Sequence, residues 1–400
     1  SALADDKTIK LEDLINEAIK NNPEIKQLSN EVNASRLKIP QEKTLDDPMF
    51  GFGIMDIPLN VPAFGSDSFA GVSVSLSQKV PYPEKLSLKG KMAEINAGMN
   101  EQMLAEKINE IKKRVKIAYF KLFFVNKSIA ITLKNKELLK DFAKIAESRY
   151  IVGTGLQQDI IKANIVLSKL GQNLIELNQQ KQNLKFEINN LLYRLPSTET
   201  GEPTEIKLSN LKLSLKDLEK IALNKSPMLK KTDYQIDMSE HENHLAKLGY
   251  IPDFEFRLNY HTWSDRADLV SGMVSINLPV WYKDKQNNQV KETEFLMISS
   301  EQERKNTFNN TLLNIARLSS EINKDSQLYD LLTNGIIPQT EQALKSSIIS
   351  YQSGKSDFLS LRDSQITLLN YQMDTIKNLV EHEKAIAELE FEIGSELVKR

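Results

Sequence analysis

The 400 residues carry a net charge of −2, 40% hydrophobic side chains, 13 prolines, 15 glycines and no cysteine. The balanced charge excludes a polybasic nucleic-acid surface, and the missing cysteine excludes disulfides, thiolate metal sites and cysteine nucleophiles. The apolar share is low for a thick core and favours long helices with narrow apolar seams.

The start, SALADDKTIK, has neither a charged n-region nor an apolar h-region, so a signal peptide was either never there or already removed. There is no run of about 18 apolar residues, so no spanning helix is predicted. A spanning β-barrel of short alternating strands stays open. Residues 9–22 read as a helix stopped near Pro23, and a second helix runs over 24–44, ending before Asp46-Asp47-Pro48. Strands are predicted at 48–58 and 69–80. In the latter, Val72, Val74 and Leu76 alternate with Ser73, Ser75 and Ser77.

From 84 to 150 the period changes to that of a helix. Leu104, Ile108, Ile111, Val115, Ala118, Leu122, Val125 and Ile129 step by four and three. The stretch YIVGTG interrupts it, and a returning helix over 156–194 carries Ile160, Ala163, Leu167, Leu170, Leu174 and Leu177 in the same rhythm. Sustained heptads mean coiled-coil seams. At 1.5 Å per residue the first helix extends roughly 100 Å and the second roughly 58 Å. A helix at 228–249 adds roughly 33 Å, so those two stacked nearly match the long one. The expected shape is a rod of antiparallel coiled coils crowned by strands. A belt of short segments from 1–22, 195–225 and the C-terminal end lies partway along.

The second half repeats the first, dividing the chain into 1–204 and 205–400. LEDLINEAIKNNPEIKQ (11–27) lies over LKDLEKIALNKSPMLKK (215–231) at an offset of 204, which also sets Pro48, Phe50 and Phe52 over Pro252, Phe254 and Phe256. Tyr150 and Gly153 meet Tyr351 and Gly354 at an offset of 201. The second half is therefore given strands at 252–263 and 269–280 and long helices at 284–351 and 356–396. Phe254, Phe256, Leu258 and Tyr260 alternate with Asp253, Glu255, Arg257 and Asn259. Pro338 falls inside the 284–351 helix, where Glu137 is its first-half counterpart. It should kink or split that helix, an asymmetry that would let the second hairpin move more than the first.

Catalytic signatures are missing: there is no Ser/His/Asp spacing, phosphate loop, dinucleotide fingerprint or metal triad. The expectation is a protein that is not an enzyme and holds no cofactor or metal. His241 and His244 could share a helix face, but two imidazoles without a third ligand read as a solvated polar surface. The methionines read as packing. Phe69, Tyr260, Trp263, Trp281 and Tyr282 suit membrane-interface belts or ordinary packing. Four strands with one apolar face need cover. Either helices pack on that face, giving a soluble coiled-coil scaffold with a small capping domain, or several chains close a barrel with that face in lipid.

Over essentially its whole length the chain resembles the outer-membrane factor (TolC-like) family of efflux ducts. VPYPEKLSLKGKMA (80–93) is similar to the proline-bracketed start of the long helix in the cation-efflux, CzcC-like branch, with Glu84 where that branch usually has Gly. IIPQTEQALKSSIISYQSGKSDFLSLRDSQITLLNYQ (336–372) is similar to that branch's second hairpin. The resemblance implies a mainly α fold with a membrane β-barrel. Three chains would close a twelve-stranded barrel and a twelve-helix periplasmic tube in the outer membrane of a Gram-negative-type bacterium. It also implies a membrane-fusion adaptor and an inner-membrane pump of the RND type as partners, and metal cations as substrate. Drug efflux and type I protein secretion are the competing uses of such a duct.

The family's adaptor-contacting Val-Gly-Leu/Thr step matches Val152, Gly153 and Thr154 here, with Gly155 next to it at the tip, and the second tip offers Ser353, Gly354 and Lys355, with Ser in place of the Val. Glycine there supplies the positive φ of a turn between antiparallel helices. The family's gate has a Tyr and two Asp one helical turn apart. Tyr351 and Asp363 match the Tyr and the second Asp, Ser360 stands where the first would be, and Asp357 could substitute nearer the tip. Threefold symmetry would turn any inward carboxylate into a ring that attracts cations.

Overall fold

The computed structural model describes residues 8–55, 71–263 and 266–398. Predicted features at 1–7, 56–58 and 69–70, including Phe69, lie outside them. The chain divides into two compact units, one of residues 27–104 and 228–308, the other of 1–26, 105–227 and 309–400.

In chain order the elements are β1 (Thr8–Ile9), α1 (Leu11–Asn21), α2 (Pro23–Glu42), β2 (Met49–Met55), β3 (Gly71–Val80), α3 (Pro83–Ile151) and α4 (Gln157–Leu191). There follow β4 (Glu202–Pro203), α5 (Leu215–Lys225), α6 (Pro227–Lys247), β5 (Phe254–Trp263), β6 (Leu269–Ile276), α7 (Gln286–Leu331), α8 (Ile337–Gln352) and α9 (Phe358–Ile393). A π-helical turn, Leu332–Ile336, separates α7 from α8.

The unit of residues 27–104 and 228–308 is built around a four-stranded antiparallel sheet in the order β2-β3-β5-β6. Gly71 pairs with Trp263 and Val80 with Phe254 at the two ends of the central ladder. At the strand-to-helix junction, Asp253 Oδ1 accepts from the Tyr82 backbone N–H at 2.9 Å and from Lys85 Nζ at 2.8 Å. This junction fixes how β3 passes into α3. Sequence periodicity carries the last strand to 280, but β6 ends at Ile276. There the Asn277 side chain takes the Asp253 N–H, and Pro279 has no donor to continue a ladder.

In the other unit α1 buries Leu11, Leu14, Ile15 and Ala18, one amphipathic stripe. It stops at Asn22, whose side chain accepts the Ile25 N–H at 3.1 Å, while Pro23 opens α2 without needing a donor. Ser214 and Asp217 form a reciprocal capping box at the start of α5. The short strands β1 and β4 pair in parallel, and the buried Tyr119 of α3 binds β1 and the residue just after β4: its hydroxyl reaches Ile9 O at 3.3 Å and accepts the Thr204 N–H at 3.0 Å. Glu202 of β4 meets Lys181 at 2.8 Å and Lys185 at 2.9 Å. Burial pushes its carboxyl up, but the two lysines outweigh that and hold it below the usual carboxylate range.

The 284–351 helix of the sequence reading is not continuous. Pro338 withholds one backbone donor and crowds the preceding turn, and the chain answers with a wide π turn just before it. The first-half counterpart, α3, passes Glu137 unbroken. The seam of α3 also departs from the sequence reading. After Val125 it is Ser128 that is buried, not Ile129, and Thr132 and Asn135 follow it inside.

Candidate functional site

Two places in the chain have geometry that goes beyond packing: the sheet and the helical-hairpin tips. Cross-strand register places residues directly opposite one another on the same face. Phe50, Leu76 and Leu258 form one row, and Phe52, Val74, Tyr260 and Val270 the next. The other face carries Gly51, Ser75, Asn259 and Ser271 in one row and Lys79, Glu255 and Ser275 in another. The apolar rows are open: Phe50 is 73% exposed, Phe52 67% and Val270 68%. No helix among the described residues covers them. The sheet also ends in two unpaired edges, β2 and β6. Such a surface is a partner-seeking one, because unpaired ladder groups and bare apolar area are both costly in water. Among the described residues, no helix is long and apolar enough to cross a membrane.

The tips lie at the far ends of two hairpins, α3–α4 and α8–α9. In the first, Gly153 has φ +77° and donates its N–H to Tyr150 O at 3.0 Å, while Thr154 and Gly155 N–H both reach Arg149 O at 2.9 Å. The second tip makes the same set 201 positions later. Gly354 has φ +75° and donates to Tyr351 O at 3.1 Å, and Lys355 and Ser356 both reach Ser350 O. A Cβ on Gly153 would meet nothing within 4 Å, so conformation alone requires glycine there. Gly155 differs: a Cβ would lie 3.0 Å from the Arg149 carbonyl carbon. The two tips differ in surface chemistry. Ile151 is 76% and Val152 71% exposed on the first, while the second presents Ser353 and Lys355.

Of the sequence-named gate residues, Tyr351 is buried. Its hydroxyl donates to Asp159 Oδ2 at 3.1 Å, its ring lies 4.7 Å from the Arg149 guanidinium, and Phe358 meets it edge-on at 5.8 Å. Arg149 also donates to the Tyr351 carbonyl and, at 3.0 Å, to Thr154 O. Burial first, and the Asp159 charge second, push the phenol up to about 12. Asp357 caps α9 instead, accepting from Ser360 N at 2.9 Å and Ser360 Oγ at 2.7 Å, which hold its carboxyl below the ordinary value. Asp363 is exposed and pairs with Arg362 at 3.0 Å. Tyr351 is thus brought to one cluster, Asp357 and Ser360 to another, and Asp363 to neither.

Sequence reasoning missed Arg149 and Asp159. A signal for Asp159 existed, since the 201 offset sets it over Ser360. The carboxylate lacking in the second hairpin is present in the first. His241 Nδ1 contacts Asp237 O at 2.7 Å and His244 contacts Glu84 at 3.2 Å, so the two imidazoles do not converge. Among the described residues no group of three or more His, Cys, Asp or Glu could hold a metal.

No family model and no curated protein matches the chain. Solved structures do. The outer membrane protein VceC from Vibrio cholerae aligns over 97% of each chain with a TM-score of 0.79 at 15% identity. The CmeC outer membrane channel of Campylobacter jejuni aligns over 100% of this chain and 92% of its own, TM-score 0.80, 12% identity. CusC, studied for folding and transmembrane channel formation, aligns over 96% of this chain and 92% of its own, TM-score 0.80, 13% identity. The chain shares the fold of these channels.

Proposed function

We propose that this chain is one protomer of an outer-membrane exit duct in a tripartite efflux system. Three copies close their β2 and β6 edges into a twelve-stranded barrel, apolar rows in lipid and the Gly/Ser face around water. The single observation that carries this reading is the four-stranded sheet with one uncovered apolar face and two free edges. A soluble scaffold would cover that face with helices. The shared fold with outer-membrane channels supports the same reading. No reaction is catalysed, and transport energy comes from an inner-membrane pump of the RND type through a periplasmic adaptor.

The adaptor meets the hairpin tips at Val152, Gly153, Thr154, Gly155, Ser353, Gly354 and Lys355. The gate lies just behind them, where Tyr351, Asp159 and Arg149 tie one hairpin to the other. Asp357, Ser360 and Asp363 flank it on α9. Metal cations are the proposed substrate, supported by the likeness of 80–93 and 336–372 to the cation-efflux branch. Purified protein recorded in planar bilayers tests the duct: trimers with single-channel steps are expected, and their absence overturns the reading. Deletion of the gene followed by a panel of metal salts and drugs tests the substrate. Drug sensitivity without metal sensitivity would reassign it.

A further inference from the structure

The apolar seam of α3 breaks off between Val125 and Leu139. Its inward positions there are Ser128, Thr132 and Asn135, at 1%, 0% and 3% exposure. They keep the four-and-three step of the seam, so they occupy core positions with polar side chains. Asn135 Oδ1 accepts from Gln365 Nε2 of α9 at 3.0 Å, and Asn135 Nδ2 donates to Gln372 Oε1 at 3.4 Å. Gln365 Oε1 and Ser128 Oγ are buried with no hydrogen-bond partner among the described residues. A buried amide oxygen left unpaired is costly, and native cores rarely keep one without a reason.

On the tip side of this layer Leu139, Phe142, Tyr351 and Phe358 belong to one continuous apolar cluster, which Leu344 and Leu368 join at the height of the layer itself. The π turn lies close to the layer. The Ser347 and Ser364 hydroxyls are 2.8 Å apart across the α8–α9 hairpin. Antiparallel counting from that pair sets Leu332–Ile336 beside residues 375–379, one to two turns beyond Gln372. A weakened backbone ladder in one helix and a polar, under-satisfied layer in its neighbours therefore lie within about two helical turns of each other.

We propose that the polar layer and the π turn form one hinge, at which the tip-bearing end of the α8–α9 hairpin pivots against α3. Apolar layers interdigitate and resist displacement, whereas amide and hydroxyl contacts exchange one partner for another without opening a void. The unpaired Gln365 Oε1 and Ser128 Oγ are groups that a second arrangement can satisfy. The use of this hinge, opening the tunnel end, rests on the duct reading; its existence does not.

Amide hydrogen exchange on the full chain in detergent tests it. Peptides covering 330–340 and 365–373 are expected to exchange about tenfold faster than those covering 341–352, because local opening concentrates at the hinge. Replacing Asn135→Leu together with Gln365→Leu should remove most of that excess, raise Tm, and lower the open probability of single channels by several-fold. If the pair does not fold, Pro338→Ala, which restores a backbone donor, should slow exchange at 330–340 alone. Uniform exchange along α7 and α8, or exchange unchanged by the variants, overturns the hinge. Slowed exchange with unaltered open probability overturns its part in gating. Fast hinge exchange in a protein that forms no pore overturns the duct and leaves the hinge standing.

Discussion

The Tyr351 hydroxyl donates to Asp159 Oδ2 at 3.1 Å, joining the end of α8 to the first turn of α4 across 192 sequence positions. A hydrogen bond to a carboxylate is worth about 1.5–3 kcal/mol, and partial exposure of Asp159 puts this one near the lower figure. Tyr351→Phe keeps the ring under Arg149 and against Phe358 but cuts that bond. The expected result is a rise of roughly tenfold in single-channel open probability, the equivalent of about 1.4 kcal/mol, with little change in Tm. Equal open probabilities in the two proteins would show that the contact only packs the tip.

The same phenol gives a pH prediction. Folding raises it from 10.0 to about 12, so its contribution to stability is complete below pH 10 and is lost as pH climbs from there to about 12. Ultraviolet titration of tyrosinate should show one tyrosine ionising about two pH units after the exposed ones. That late step should disappear in Tyr351→Phe and move down in Asp159→Asn. An unchanged late step in Tyr351→Phe would assign it elsewhere.

At the tips, Gly153→Ala and Gly354→Ala force a Cβ into left-handed backbone and should each cost about 1–2 kcal/mol, with Asn tolerated better. Gly155→Ala acts differently, by driving a Cβ against the Arg149 backbone. Thermal melts separate them: Asn should rescue position 153 but not 155. Equal rescue at both positions would remove the distinction between a conformational glycine and a close-approach glycine.

Much of this was legible in the sequence for simple reasons. Strand faces follow from a period of two, and Val72, Val74 and Leu76 fall on one side of β3 as their spacing dictates. Tip glycines announce themselves because a long helix cannot otherwise reverse. What escaped was whatever depends on a distant partner. Arg149 and Asp159 are unremarkable charges on a helix until Tyr351 is placed between them. Ser128, Thr132 and Asn135 escaped because apolar periodicity looks only for apolar residues, and so preferred Ile129. The π turn escaped in kind though not in place, since Pro338 marks a disturbance without saying how the backbone absorbs it.

The two faces of the sheet predict opposite responses to charge. Val74→Lys puts an ammonium on the apolar face, where a cation at the lipid midplane costs about 2–4 kcal/mol, and should impair assembly in membranes. Ser75→Asp, one residue on, faces the Gly51 and Asn259 side and should assemble normally while changing ion selectivity. Heat-resistant trimers on gels after membrane extraction give the readout. Assembly of both variants alike would argue that the Val74 face is not in lipid.

Lys116 and Glu390 form a buried pair at 2.6 Å, with side chains 7% and 5% exposed. Lys116→Met strands the carboxylate and should cost about 3–5 kcal/mol, seen as a large fall in Tm. The pair is more than a pair, however. Glu390 Oε1 also accepts the Leu397 and Val398 backbone N–H groups, at 2.9 and 3.2 Å, and so holds the segment after α9. Adding Glu390→Gln to Lys116→Met removes the stranded charge but keeps an acceptor for those donors, and most of the lost stability should return. Adding Glu390→Leu removes charge and acceptor together, leaving two backbone donors unpaired, and should recover far less. If the Leu and Gln double variants melt alike, the carboxylate serves Lys116 alone and the chain end is held by other contacts.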